Sequence, residues 1–204
     1  MFISFEGVDG VGKSTQVEVL AHHLERAGHR VLTTFQPGVT KLGEKLRELA
    51  LHSDIDKRAR TLLFAADQAE QTAKIIRPAL EDGKIVITDR YYDSAIVYNG
   101  AGEKLDEEEI RLVSEFSTAG LKPDLTILLT GGFNEERIQS RGNKKDVYEK
   151  KGIQFFEDVE KAYIEMAKQE PDRFVVIDGR QTIEDIAEKI LYETQQALRK
   201  HMEL

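Results

Sequence analysis

Five short stretches are apolar and β-branched, with little polar alternation: 1–6 (MFISFE), 30–35 (RVLTTF), 84–89 (KIVITD), 124–130 (DLTILLT) and 173–178 (RFVVID). Strands covered by helices on both faces hide both sides from water, so their side chains need not alternate. Between these runs, apolar residues recur at helical spacing over 13–27, 41–51, 57–82, 106–118, 134–141, 153–169 and 182–200. Two of these helices carry start signals. Asp106 stands as an N-cap before Glu107, Glu108 and Glu109, carboxylates suited to the positive end of the helix dipole. Thr182 and Asp185 have capping-box spacing ahead of the stripe Ile183, Ile186, Ile190 and Leu191. Strand and helix alternating in this way predict an α/β fold, a doubly wound five-stranded parallel sheet with right-handed crossovers and helices on both faces. In such sheets ligands bind beyond the carboxyl ends of the strands. Prolines 37, 78, 123 and 171 fall at element edges, and no repeat or Pro/Ser-rich linker interrupts the sequence, so a single domain over 1–204 is expected.

Composition narrows the chemistry. Apolar residues make up 40% and charged residues 32% of the 204 positions, enough for a real core. Without cysteine there is no disulfide, thiol nucleophile or Cys-based zinc site. A net charge of −8 disfavours nonspecific nucleic-acid binding, which rests on neutralising phosphates. No apolar run approaches a membrane span, and the start MFISFEG lacks the pattern of a signal peptide. These features lead to the expectation of a cytoplasmic protein.

Three glycines crowd into FEGVDGVGKST, residues 5–15, behind the first apolar run. Gly7, Val8, Asp9, Gly10, Val11, Gly12, Lys13 and Ser14 fit G-x-x-x-x-G-K-[ST], a P-loop, between a predicted strand and helix. Its glycines let successive backbone N–H groups surround a phosphate, and the following helix, through Thr15, adds its positive end. In this pattern Lys13 reaches the β- and γ-phosphates of ATP, and Ser14 offers its hydroxyl to Mg²⁺.

Asp89 ends a predicted strand, where a carboxylate orders Mg²⁺ beside the cradle. Arg90 follows as a fork for a second phosphate group, and Tyr91, Tyr92 and Tyr98 offer flat faces for a base and sugar. Downstream, Arg137 and Arg141 lie four apart on one helix face of a cationic segment, suited to a small helical lid over about 137–152. Asn143-Lys144-Lys145-Asp146 has the N-K-x-D form of guanine recognition. A polar, basic helix end precedes it instead of an apolar strand, so a solvated charged loop is the better reading.

The P-loop, LLFAADQ, DRYYDS…VYNG, KPDLTILL, the arginine-bearing lid and RFVVIDGRQTIEDI, in this order, resemble the thymidylate kinase family of P-loop nucleoside monophosphate kinases. The resemblance implies transfer of the γ-phosphoryl group of ATP to dTMP with Mg²⁺, and a homodimer. Carried onto matching positions, it implies that Asp9 sits near the acceptor sugar and reacting phosphate and that Phe64 stacks on the base. It further implies that Arg90 clamps the monophosphate, that Ser94 and Tyr98 line the base and deoxyribose site, and that Arg137 and Arg141 complete the transition-state site. This chain departs from the family pattern at Phe35 and Gln36 (usually Arg-Glu), Gln68 (Arg), Asn99 (Gln) and Val147 (Arg). All five concern the acceptor or lid, and none touches the cradle. A kinase of another pyrimidine or modified deoxynucleotide, and a nucleotide-dependent binding switch, are the alternatives that ADP release separates.

Overall fold

The computed structural model describes residues 1–133 and 145–202. Five strands, β1 (Phe2–Glu6), β2 (Val31–Phe35), β3 (Ile85–Asp89), β4 (Leu125–Thr130) and β5 (Phe174–Asp178), form one sheet in the order β2-β3-β1-β4-β5. Every pairing is parallel. The central strands β1, β3 and β4 are almost wholly buried, while Phe35 and Val176 on the edge strands are about half exposed.

The flanking helices are α1 (Lys13–Arg26), α2 (Lys41–His52), α3 (Lys57–Gln71), α4 (Arg77–Glu81), α5 (Tyr92–Val97), α6 (Glu107–Thr118), α7 (Ile153–Gln169) and α8 (Ile183–Met202). The two capping predictions hold. Asp106 accepts the N–H of Glu109 at 3.0 Å, and the Thr182 hydroxyl accepts that of Asp185 at 3.1 Å. The helix expected over 57–82 is interrupted by a turn of π-helix at Thr72–Ile76 before α4. Pro78, which has no N–H to give, stands in the first turn of α4, where none is needed.

Helix α5 and the π-helical turn after it, Tyr98–Gly102, escaped the sequence reading. The segment is short and carries Gly100 and Gly102, so its helicity comes from packing of Tyr92, Ile96 and Val97 into the core rather than from propensity. The helix expected over 134–141 lies outside the described residues. Among those described, no helix is long and apolar enough to cross a membrane.

The chain leaves β1 toward β2 on one side of the sheet and leaves β4 toward β5 on the other. The carboxyl ends of β1 and β4 therefore border the crevice in which such sheets bind ligands. Everything that follows lies at that end.

Candidate active site

The cradle depends on a close backbone approach. Gly7 has a φ of 135°, and a Cβ there would collide with the carbonyl oxygen of Leu129 in β4. Gly12, with a φ of 108°, turns the chain into α1, whose first N–H groups open onto the crevice. Lys13 is buried, and its Nζ donates to the carbonyl oxygens of Gly7 at 3.0 Å and Val8 at 2.9 Å. Burial and the nearby Arg90 charge pull its pKa down to about 8, against Asp89, Asp9 and Glu6.

In the first turn of α1, the Ser14 hydroxyl donates to Asp89 Oδ2 at 2.5 Å. Parallel register sets Phe5 of β1 beside Asp89 of β3 and so brings this carboxylate to the cradle. A hydroxyl and a carboxylate are hard oxygen donors that suit Mg²⁺, a cation usually held by one or two such groups plus substrate phosphates. Among the described residues, no group of three or more His, Cys, Asp or Glu is arranged to hold a metal alone.

Arg90 begins where β3 ends, with a φ of 71° in the left-handed region that a β-carbon disfavours. Its N–H donates to Phe5 at 2.9 Å, and its carbonyl accepts from the Thr88 hydroxyl at 2.9 Å. Its guanidinium reaches three partners. Nη1 donates to Ser94 Oγ at 3.1 Å, while Nη2 donates to Asp9 Oδ1 at 2.8 Å and to the Tyr98 hydroxyl at 2.9 Å. The group also lies over the Tyr98 ring, 4.7 Å from its centre. Burial pushes the Asp9 carboxyl up, but Arg90, Lys13 and the Tyr98 hydroxyl outweigh it and hold its pKa below the ordinary value. Asp9 is therefore ionised and bound to Arg90.

Beside the cradle opens a cavity of about 710 Å³. Its lining includes the expected residues Asp9, Gly10, Gly12, Lys13, Ser14 and Thr15 on one side, with Asp89 and Arg90 at the centre. Phe64, Gln68, Ser94, Tyr98 and Asn99 line the other side, as do the departures Phe35 and Gln36. Val8 and Val11 serve the cradle from within the core.

Several of these side chains are already committed. The Ser94 hydroxyl is bound by Arg90 and Glu6 rather than left open to a ligand. Asn99 donates to Ala95 at 2.8 Å, and its Oδ1 lies 3.0 Å from the Thr61 hydroxyl and 3.4 Å from that of Tyr148. Gln68 Oε1 lies 2.6 Å from the Ser117 hydroxyl, and its Nε2 stands 3.5 Å from Gln36 Oε1. Phe64, one turn earlier on α3, presents its ring to the Tyr148 ring at 6.2 Å and 22°.

Two expectations change. Tyr91 and Tyr92 are core residues. Tyr91 bonds Thr72 at 2.8 Å and packs edge-on against Phe2, and Tyr92 does not line the cavity, which leaves Tyr98 as the member of the trio whose side chain serves the site. Asp146 is not a merely solvated charge, because it lines the cavity and burial raises its pKa, as does the Asp9 charge. Tyr148 was passed over, yet it is buried against Phe64, Tyr98 and Phe155, with Val147 N–H bonded to Leu51 at 3.1 Å. Its aromatic position in a charged segment was the available signal. Arg137 and Arg141 lie outside the described residues.

Sequence reading also passed over Glu6, a buried carboxylate behind Arg90, although one acidic residue ending an apolar strand is itself a signal.

Three comparisons bear on this arrangement. The family model described as thymidylate kinase matches residues 5–190. A thymidylate kinase of Bifidobacterium longum subsp. infantis is 44% identical, covering 99% of this chain and 89% of its own length. One of Fervidobacterium nodosum is 41% identical, over 94% of this chain and 96% of its own length. The crystal structure of thymidylate kinase from Ehrlichia chaffeensis superposes with a TM-score of 0.74 at 30% identity, covering 97% of this chain and 98% of that one.

Proposed function

The chain belongs to the thymidylate kinase family, and from that premise we infer that it transfers the γ-phosphoryl group of ATP to the phosphate of dTMP, giving dTDP and ADP. The observation that carries this reading is the placement of Arg90, held by Asp9 and Tyr98, directly beside a complete P-loop in one cavity. Phosphoryl transfer needs positioning and charge stabilisation more than covalent chemistry. The cradle N–H groups and Lys13 bind the ATP phosphates, with Lys13 exchanging its carbonyl partners for anionic oxygens. Arg90 turns the acceptor phosphate so that one oxygen attacks the γ-phosphorus in line. Asp9 keeps Arg90 in place and faces the acceptor sugar, and Phe64 and Tyr148 flank the base.

Ser14 and Asp89 would hold Mg²⁺, which when bound neutralises charge on the β- and γ-phosphates. Arg137 and Arg141 belong to a lid over about 137–152 and complete the charge stabilisation at transfer. A homodimer is part of the same reading. Leu112 and Phe116, one turn apart on α6, are exposed apolar residues of the kind that a partner covers. A nucleotide reaction fed by ATP suits a cytoplasmic setting.

The test measures ADP release with ATP, Mg²⁺ and each of dTMP, dUMP, UMP and dCMP. Release that requires dTMP supports the reading. Release at the same rate without any acceptor contradicts it.

A further inference from the structure

Glu6 has no access to solvent, and an ionised carboxylate is costly to bury unless hydrogen bonds and opposite charge offset the lost water. Its oxygens accept three bonds. Oε1 takes the N–H of Tyr91 at 2.9 Å, and Oε2 takes the hydroxyls of Ser94 at 2.5 Å and Tyr163 at 2.8 Å. Burial and the charge of Asp93 raise its pKa to about 7, against Ser94, Arg90 and Tyr163. Asp93 is itself paired with Arg173 at 2.7 Å.

These bonds grip Arg90 from two sides. The Tyr91 N–H belongs to the peptide that leaves Arg90, so Oε1 holds the turn in which Arg90 takes its φ of 71°. The Ser94 hydroxyl gives its proton to Oε2 and accepts from Arg90 Nη1 at 3.1 Å. One carboxylate thus reaches both the strained backbone of Arg90 and its guanidinium. Three of the five guanidinium N–H groups bond to Ser94, Asp9 and Tyr98. The Nε–H and the second Nη1–H remain as donors for an anionic oxygen.

We propose that Glu6 is a positioning residue for acceptor binding: through Tyr91, Ser94 and Tyr163 it fixes the turn and head group of Arg90, and so presents that guanidinium to the acceptor phosphate. This rests on the kinase reading above. It also ties α7, through Tyr163, to the phosphate clamp.

Glu6→Gln keeps the shape but sets an NH₂ group against donors, and so disrupts the grip. The expected result is a KM for dTMP raised by about tenfold or more, a KM for ATP within about twofold, and a melting temperature lowered by about 5 °C. Ser94→Ala should shift the dTMP KM in the same direction, and Ser94→Thr, which keeps the hydroxyl, should restore most of it. Glu6→Gln combined with Ser94→Ala should be no worse than the worse single variant, since both cut one path. If Glu6→Gln does not fold, the Ser94 pair and Tyr163→Phe carry the test. Equal rises in both KM values, or an unchanged dTMP KM in Ser94→Ala, would overturn the proposal while wild-type turnover of dTMP leaves the kinase reading standing. A wild type that does not turn over dTMP overturns both.

Discussion

The phosphate cradle occupies eight consecutive residues, Gly7 to Ser14, and works mainly with backbone N–H groups. The acceptor cavity beside it is walled by side chains from α3, α5, the turn at Tyr98–Gly102 and the segment at Asp146 and Tyr148. A backbone site needs glycine where a Cβ would strike a neighbour, so its sequence is nearly dictated. A side-chain site can be rebuilt one residue at a time, provided each buried polar group keeps a partner. Phe35, Gln36, Gln68, Asn99 and Val147, where the resemblance implies other residues, all lie outside the cradle, and Gln68 and Asn99 keep hydrogen-bond partners for their amides.

The largest expected effect breaks the cradle alone. Lys13→Ala should reduce turnover by about 10²–10³, comparable to losing one preorganised charge-stabilising donor, with the fold retained. Steady-state kinetics on a variant shown folded by circular dichroism checks this, and near-wild-type turnover would remove the cradle from the chemistry.

The matching change beside the cradle is Arg90→Ala. Among the described residues that line the cavity, Lys13 and Arg47 are the other cations. A loss of about a hundredfold in kcat/KM for dTMP is expected, in line with ~2–3 kcal/mol for charged hydrogen bonds. Arg90→Lys should recover little, because an ammonium cannot reproduce the planar fork. Unchanged saturation by dTMP would place the clamp elsewhere.

Changing pH separates the two regions without mutation. In the free protein the pKa of Lys13 is depressed to about 8, so its ammonium is half deprotonated at that pH and mostly neutral above it. Bound phosphates favour the charged form, and ATP binding then takes up a proton. The affinity for ATP should be level below pH 8 and fall as pH rises beyond it, by at most about tenfold per pH unit. Calorimetric titration of ATP from pH 7 to 9.5 reads this directly, and a Lys13→Ala protein should lack the trend.

The smaller effects sharpen the account of the acceptor cavity. Gln68→Arg, facing the side chains of Gln36 and Ser117, should tighten dTMP by about tenfold, the gain of one charged hydrogen bond. Asn99→Gln should behave differently. Asn99 is buried and its amide is engaged on both sides, so an added methylene should lower stability by ~1–3 kcal/mol and bring no gain in affinity. Denaturant unfolding and dTMP kinetics on both variants distinguish these outcomes.

What could be read from the chain follows the same division. The five strands were legible because they are short, β-branched and mostly apolar, and the helix starts at Asp106 and Thr182 because capping is local chemistry. The glycine and lysine spacing of the cradle was legible because its constraint is also local. Helix α5 was missed because its six residues are held by the core rather than by propensity. Tyr92 looked available to a ligand, but only tertiary packing shows that it belongs to the core. Glu6 and Tyr163 meet across 157 positions of sequence, and no local pattern records such a contact. Tyr148 becomes a cavity wall only when its segment packs beside Leu51, Phe64 and Phe155.

The central claim is that an intact cradle serves a cavity that takes dTMP. The most direct measurement is kcat/KM for dTMP, dUMP, UMP and dCMP with ATP and Mg²⁺, followed by ADP release. The account predicts that dTMP gives the highest value and that release without an acceptor is negligible. A higher value for any of the other three monophosphates would contradict it.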